Sequence, residues 1–178
     1  MNFNMKDAIE VLERTPQTLT YFLTGLSDGW LHCNEGEETW NAIEVVEHLI
    51  EGEKNNWIQR LELIISDDSH KTFPPYDRFA HLNNNTEVAL EQQLQEFNTL
   101  RSQNISKLKS LIDPEKHLEL SGTHPVFGSV KLREVISTWV AHDLTHIAQI
   151  VRVMAKRYTK DVGPWIEYLS ILKKREPK

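Results

Sequence analysis

Between Val130 and Gly163 the chain has neither glycine nor proline, and its apolar residues recur at helical spacing: Leu132, Val135, Ile136, Trp139, Ile147, Ile150, Val153 and Met154. That pattern commits the segment to one long amphipathic helix whose stripe must be buried against other helices. Within it, W-V-A-H-D-L-T-H-I-A-Q, from Trp139 to Gln149, sets His142 and His146 four residues apart, on one face and one turn from each other. Two neutral imidazoles at that spacing can reach one divalent cation at about 2.0–2.1 Å. Two ligands alone make a weak site, so a third has to come from elsewhere in the chain.

Three more helical stretches follow from the same periodicity. Met5 to Leu26 carries Ala8, Ile9, Leu12, Leu19, Phe22, Leu23 and Leu26, interrupted by Thr15-Pro16, and reads as two short helices or one kinked helix ended by Ser27-Asp28-Gly29. A second helix starts near Thr39 to Asn41, where Asn41 and Glu44 have capping-box spacing, and runs to about Ser66 on Ile43, Val46, Leu49, Ile50, Trp57, Leu61 and Ile64. A third spans roughly Thr86 to Ile112, with Leu90, Leu94, Phe97, Leu108 and Leu111 inward, and stops at Asp113-Pro114. Asp67 to Asn85, with Pro74-Pro75 and an asparagine run, is a long surface loop, and loops of that length are often functional. Glu115 to Ser129 reads as loop with a little extended chain, Gly163-Pro164 opens a short last helix, and Lys173 to Lys178 is a frayed tail.

The expected fold is all-α: a four-helix bundle with an additional short C-terminal helix and a long surface loop. At 178 residues and 39% hydrophobic content the chain supports one core, hence one domain over residues 1–178. The net charge of -6 without a basic cluster argues against nucleic acid as a partner. No apolar run approaches the ~20 residues of a membrane span. The first residues lack the apolar core of a secretory signal, and the lone Cys33 permits no internal disulfide; both fit a reducing cytoplasm. Cys33 itself reads as a passive small residue.

The other histidines, His32, His48, His70, His81, His117 and His124, are the candidates for a third ligand, and among them only His48 lies inside a long helix. A helical wheel puts it beside Glu44, Glu51, Gly52 and Asn55, away from the apolar stripe. It puts His142 and His146 at the edge of theirs. An ion between these rings would occupy a groove at the border of the bundle, open to solvent, with Gly52 leaving room. Asp143 falls near the middle of the apolar face, where a carboxylate is costly unless paired. Its expected donor is the indole of Trp40 or a ligand imidazole. His-Asp-x-x-His shares its spacing with the His-Glu-x-x-His zinc-protease motif, but aspartate is a methylene shorter and no further ligand helix completes that site.

The chain resembles the DinB-like superfamily, the helical-bundle group that includes bacillithiol and mycothiol transferase-like proteins. The resemblance rests on L-E-R-T-P-Q-T-L (Leu12 to Leu19), W-N-A-I-E-V-V-E-H-L (Trp40 to Leu49), F-P-P-Y-D-R-F-A-H (Phe73 to His81), V-A-H-D-L-T-H-I-A-Q-I (Val140 to Ile150) and D-V-G-P-W-I-E-Y-L (Asp161 to Leu169). It implies a bundle, commonly a homodimer, in which His48, His142 and His146 hold a divalent metal: nickel or zinc, with iron or manganese also found in the wider group. Activities among relatives include transfer of low-molecular-weight thiols and metal-assisted hydrolysis or isomerisation.

Three imidazoles leave a coordination position for a small molecule, as catalytic sites do. A thiol held there would be deprotonated into a nucleophile, and a water would be activated near neutral pH. The expectation is a metal-dependent enzyme, a thiol S-transferase-like protein acting on a small electrophile or a hydrolase. The other class is a metal-containing bundle without catalysis or a stress-linked binding module. No catalytic residue is assigned beyond the ligands. The Phe73–His81 loop is a candidate cover, with Arg78 either a fork for a substrate carboxylate or a partner of Asp77, which could instead cap a turn.

Overall fold

A computed structural model of the chain describes residues 3–83 and 88–173. Helix α1 (Met5–Leu23) starts on Asn4, whose side chain accepts from the amides of Lys6 and Asp7. It buries Ala8, Leu12, Thr15, Pro16, Leu19 and Leu23 along one stripe. Of the two readings of Thr15-Pro16, the single helix is the observed one. Proline lacks the amide hydrogen that would occupy the Leu12 carbonyl, and Arg101 Nη1 donates to that carbonyl instead at 2.8 Å. Ser27-Asp28-Gly29 does not simply end the helix. It leads into a one-turn helix, α2 (Asp28–Leu31), with Ser27 at its N-cap.

The capping box at the second long helix forms in full: the Glu44 amide donates to Asn41 Oδ1 at 3.0 Å and the Asn41 amide to Glu44 Oε2 at 2.8 Å. The expected continuous helix to Ser66 is broken, however, into α3 (Ala42–Asn55) and α4 (Trp57–Ile65). Asn56 between them adopts φ -126, ψ -70, outside the helical region. The break turns the Trp57 ring inward, where it stacks on Trp139 at 5.7 Å and 9°.

Helix α5 (Leu90–Leu111) buries Leu90, Leu94, Phe97 and Leu108 as expected, and its start at Thr86 falls outside the described residues. After a short α6 (Pro114–His117), the extended chain is an antiparallel hairpin, β1 (Ser121–His124) with β2 (Gly128–Lys131), register Ser121↔Lys131 to His124↔Gly128. Helix α7 (Leu132–Lys156) then runs unbroken. The closing segment is two 3-10 turns, Gly163–Tyr168 and Ser170–Leu172, rather than an α-helix, and it leaves Trp165 and Tyr168 exposed. The expected tail from residue 174 onward lies outside the described residues.

The long helices form a four-helix bundle in which α1 packs on α5 and α7, and α3 packs on the same two. Successive helices α1 and α3 are therefore diagonal, as are α5 and α7, which is why the segments joining them must be long enough to cross an end of the bundle. The apolar interior falls into two clusters, one around Leu12, Trp57, Ile105 and Trp139, the other around Leu19, Leu49, Phe97 and Ile150. Among the described residues no helix is long and apolar enough to cross a membrane.

The 67–83 segment is tied down at its start. Phe73 N donates to the Thr123 carbonyl at 2.9 Å and Thr123 N to that of Lys71 at 2.7 Å. Gly122 permits this: a Cβ there would come within 2.6 Å of Phe73 Cε1, so the buried phenyl ring lies directly on bare hairpin backbone.

Candidate metal centre

Helix α7 carries His142 and His146, and α3, its neighbour in the bundle, carries His48. The three rings converge. His48 Nε2 lies 3.1 Å from His142 Nε2, and His146 Nε2 lies 3.1 Å from the same atom. One ligand nitrogen from each lies within 4.8 Å of the others. Ligands at about 2.0–2.1 Å from a common ion stand roughly 2.9–3.4 Å apart for angles between 90° and tetrahedral, so the observed spacing suits one cation. The protons support the same conclusion. His48 Nδ1 faces the Arg78 carbonyl at 3.1 Å, which can only accept, and His146 Nδ1 faces Gln149 Oε1 at 2.9 Å. With both hydrogens on Nδ1, two Nε2 lone pairs point at His142 Nε2, which carries at most one hydrogen. A shared cation resolves that conflict, and oriented Nδ1–H donors are the usual support for ligating histidines. The described residues thus fit a divalent metal.

The site is less open than a border groove. His48 is 4% exposed and His146 8%. Trp40 packs on His48 with ring centroids 4.8 Å apart and stacks on His146 at 6.1 Å. The loop supplies His81, itself buried, against Trp40 and His48. A wheel of one helix could not foresee this, because the cover comes from the segment before α3 and from the loop after α4. His142 also lines a shallow surface depression of about 480 Å³, with Ser137, Thr138, Ala141 and Thr145.

Burial disfavours the charged form of these rings. It pushes His48 down to about 4 and His142 to about 3, with the neighbouring imidazoles adding to the effect, and it lowers His146 as well. All three rings are therefore neutral at pH 7, the form in which an imidazole can take a metal. The folded metal-free protein then binds fewer protons than the unfolded chain below the ordinary histidine value of 6.5. Stability is therefore at its full value above that pH, falls progressively below it, and this loss is complete once pH has passed about 4 and 3. Urea titrations of metal-free wild type and His142→Asn, compared from pH 7.5 down to pH 4, are expected to show the steeper acid loss in wild type. Parallel curves would refute a depressed His142.

Directly behind the triad lies a buried polar layer to which each long helix contributes. Arg101 of α5 forks onto Asp143 of α7 (Nη1–Oδ2 2.6 Å, Nη2–Oδ1 3.0 Å) and donates to Glu53 Oε1 of α3 at 2.9 Å. Its other acceptor is the Leu12 carbonyl that Pro16 frees on α1. Trp139 Nε1 donates to Glu53 Oε1 at 3.0 Å and Asn104 Nδ2 to Glu53 Oε2 at 3.0 Å. Burial alone would weaken the hold of Arg101 on its proton, but the two carboxylates outweigh it and raise its pKa. Asp143 is indeed central and fully buried, yet its donor is Arg101, not Trp40 or an imidazole. Asp143 sits beside His142, and Glu53 follows Gly52 one turn past His48, so the layer anchors both ligand-bearing helices.

A family model for the DinB superfamily matches residues 11–150. The chain belongs to the DinB superfamily. That stretch contains all three histidines and every member of the polar layer. Among solved structures, YfiT from Bacillus subtilis, described as a probable metal-dependent hydrolase with an unusual four-helix bundle topology, matches this DinB chain with a TM-score of 0.72 at 21% identity. The match covers 85% of this chain and 86% of that one, and it speaks for the shared fold. No curated protein matches the chain.

Of the expected site residues in this DinB bundle, His48, His142 and His146 come together. Arg78 does not act as a fork: its guanidinium lies over the Phe79 ring at 4.6 Å, and its carbonyl serves His48. Asp77 caps the turn, accepting from Phe79 N at 2.9 Å. Cys33 packs away in the second apolar cluster, its thiol on the Trp30 carbonyl at 3.1 Å. Gly52 makes room for Trp57 and Tyr76 rather than for the ion directly. Arg101 and Glu53 were missed, though a signal existed. Arg101 falls on the apolar register of Leu94, Phe97, Ile105 and Leu108, and Glu53 on that of Val46, Leu49 and Ile50.

Proposed function

We propose that His48, His142 and His146 bind one divalent metal ion and that the protein is a metal-dependent hydrolase of small substrates. The observation that carries the reading is the convergence of three neutral Nε2 atoms, two of them held by Nδ1 contacts, with no fourth protein ligand in the group among the described residues. Catalytic sites keep a coordination position for an exchangeable molecule, whereas structural sites close it with protein. Bound there, such an ion would polarise a water or a substrate carbonyl so that attack proceeds near neutral pH.

The chain's own part is to hold and enclose. Arg78 and Gln149 fix the imidazole tautomers, Trp40 and His81 exclude bulk water from one side, and the depression beside His142 is the route by which a small substrate arrives. Zinc and nickel suit an all-imidazole set equally. The description of YfiT as a probable metal-dependent hydrolase, on a fold this similar, favours water over a thiol as the nucleophile.

The test is elemental analysis of purified protein, then hydrolysis of p-nitrophenyl esters and conjugation of cysteine to a small electrophile, each with and without chelator. Ester turnover lost on chelation and restored by metal supports the hydrolase. Conjugation without hydrolysis would replace it with a thiol transferase. Stoichiometric metal with neither activity would favour a non-catalytic bundle. No metal uptake would overturn the reading altogether.

A further inference from the structure

Gly52 lies one helical turn beyond His48 on the same face of α3. Two polar groups press against its bare backbone: a Cβ there would meet Trp57 Nε1 at 3.2 Å and the Tyr76 hydroxyl at 3.9 Å. The Tyr76 hydroxyl is buried and makes no hydrogen bond among the described residues. The Trp57 indole N–H likewise has no acceptor there. Trp57 is held in place, stacked on Trp139 and edge-on to the His142 ring at 5.1 Å. Tyr76 is held by the segment that Phe73 anchors on the hairpin. Two fixed donors therefore converge on Gly52, the indole edge-on to the His142 ring, with no acceptor among the described residues; for the buried Tyr76 hydroxyl an unmet donor costs roughly 1–3 kcal/mol.

We propose that Gly52, Trp57 and Tyr76 form the subsite that receives a carbonyl-type acceptor oxygen of the substrate, beside the ion held by the triad. The proposal rests on the metal-centre reading above. A methyl group at residue 52 would stand 3.2 Å from the indole nitrogen and 3.9 Å from the hydroxyl, in the space that both donors face. Burial, with Glu51 and Asp77 nearby, pushes the Tyr76 phenol up to about 12, so it keeps its proton and stays a donor. Glu51 accepts from Asn55, Asp77 accepts from Phe79 N, and neither bonds to the phenol. Arg60 faces Tyr76 from α4, half-buried over the Phe73 ring at 5.2 Å and without an ion-pair partner among the described residues. A donor pair backed by a guanidinium, with two carboxylates close by, suits a polarised carbonyl better than a free anion.

The test uses the full chain loaded with cobalt(II), whose visible spectrum reports a change in ligands, and acetohydroxamate as the probe. Cobalt stoichiometry reads the triad, and the probe's dissociation constant reads the subsite. Tyr76→Phe is expected to hold cobalt as wild type does and to bind acetohydroxamate about tenfold more weakly, the effect of one hydrogen bond to the probe's carbonyl oxygen. Gly52→Ala is expected to bind cobalt and lose the probe response. Equal probe affinity in wild type and Tyr76→Phe, or no probe response in cobalt-loaded wild type, overturns the subsite while leaving the triad standing. Failure of wild type to take up cobalt brings down both.

Discussion

Arg101→Met is expected to cost on the order of 3–5 kcal/mol of folding stability, the range for breaking a buried ion pair by removing one partner. The guanidinium is 2% exposed, and it supplies both hydrogen bonds that Asp143 accepts. Methionine fills much of the volume but donates nothing. Asp143 would be stranded in the core, and the Leu12 carbonyl, already deprived of its helical partner by Pro16, would be stranded with it. Glu53 would keep Trp139 and Asn104. Against a total of about 5–15 kcal/mol for a domain, this is a large share.

Urea unfolding of the metal-free protein measures it. The double variant Arg101→Met/Asp143→Leu should recover much of the loss, because apolar replacement of a buried pair is often tolerated. A loss below about 1 kcal/mol in the single variant would mean that the carboxylates do not depend on Arg101.

His146→Ala should reduce bound metal from about one ion per chain to a small fraction of that, because two imidazoles make a poor site. Helix content should stay near that of wild type. The stripe of α7 is set by Leu132, Val135, Ile136, Trp139, Ile150 and Val153, and the helix N-terminus is held by Glu134 bonded to Lys131 N. Elemental analysis and far-ultraviolet circular dichroism on one preparation separate metal loss from unfolding. Full metal occupancy in the variant would remove His146 from the ligand set.

The two variants probe different depths of the same construction. Arg101 lies behind the ligands and bridges four helices, so its loss should loosen His48 and His142 together. His146 is at the front, so its loss should spare the scaffold. A metal affinity that falls in Arg101→Met as well, at a urea concentration where the variant is still folded, would show that the layer positions the ligands in addition to supporting the core.

What could be read from the chain, and what could not, divides along a physical line. Periodicity is local: a stripe such as Leu132 to Val153, a cap such as Asn41 with Glu44, or an i, i+4 histidine pair is set by the geometry of a single helix. The all-α class, the bundle and the site face of α7 were therefore legible in the residues alone, which also offered His48 as the one further histidine inside a long helix, and the motif resemblance joined it to the pair. Pairing between elements is not local. That Arg101 answers Asp143, that the Leu12 carbonyl freed by Pro16 is an acceptor for it, and that Arg78 serves His48 through its backbone all depend on which helix lies beside which. The helix break at Asn56 belongs to the same class, since it exists to turn Trp57 onto Trp139. So does the cover over the triad, drawn from Trp40 and His81 on two separate connections. A charged residue at a core position announces only that it needs a partner, and the tertiary structure alone names that partner, because burial makes an unpaired charge too costly to leave alone.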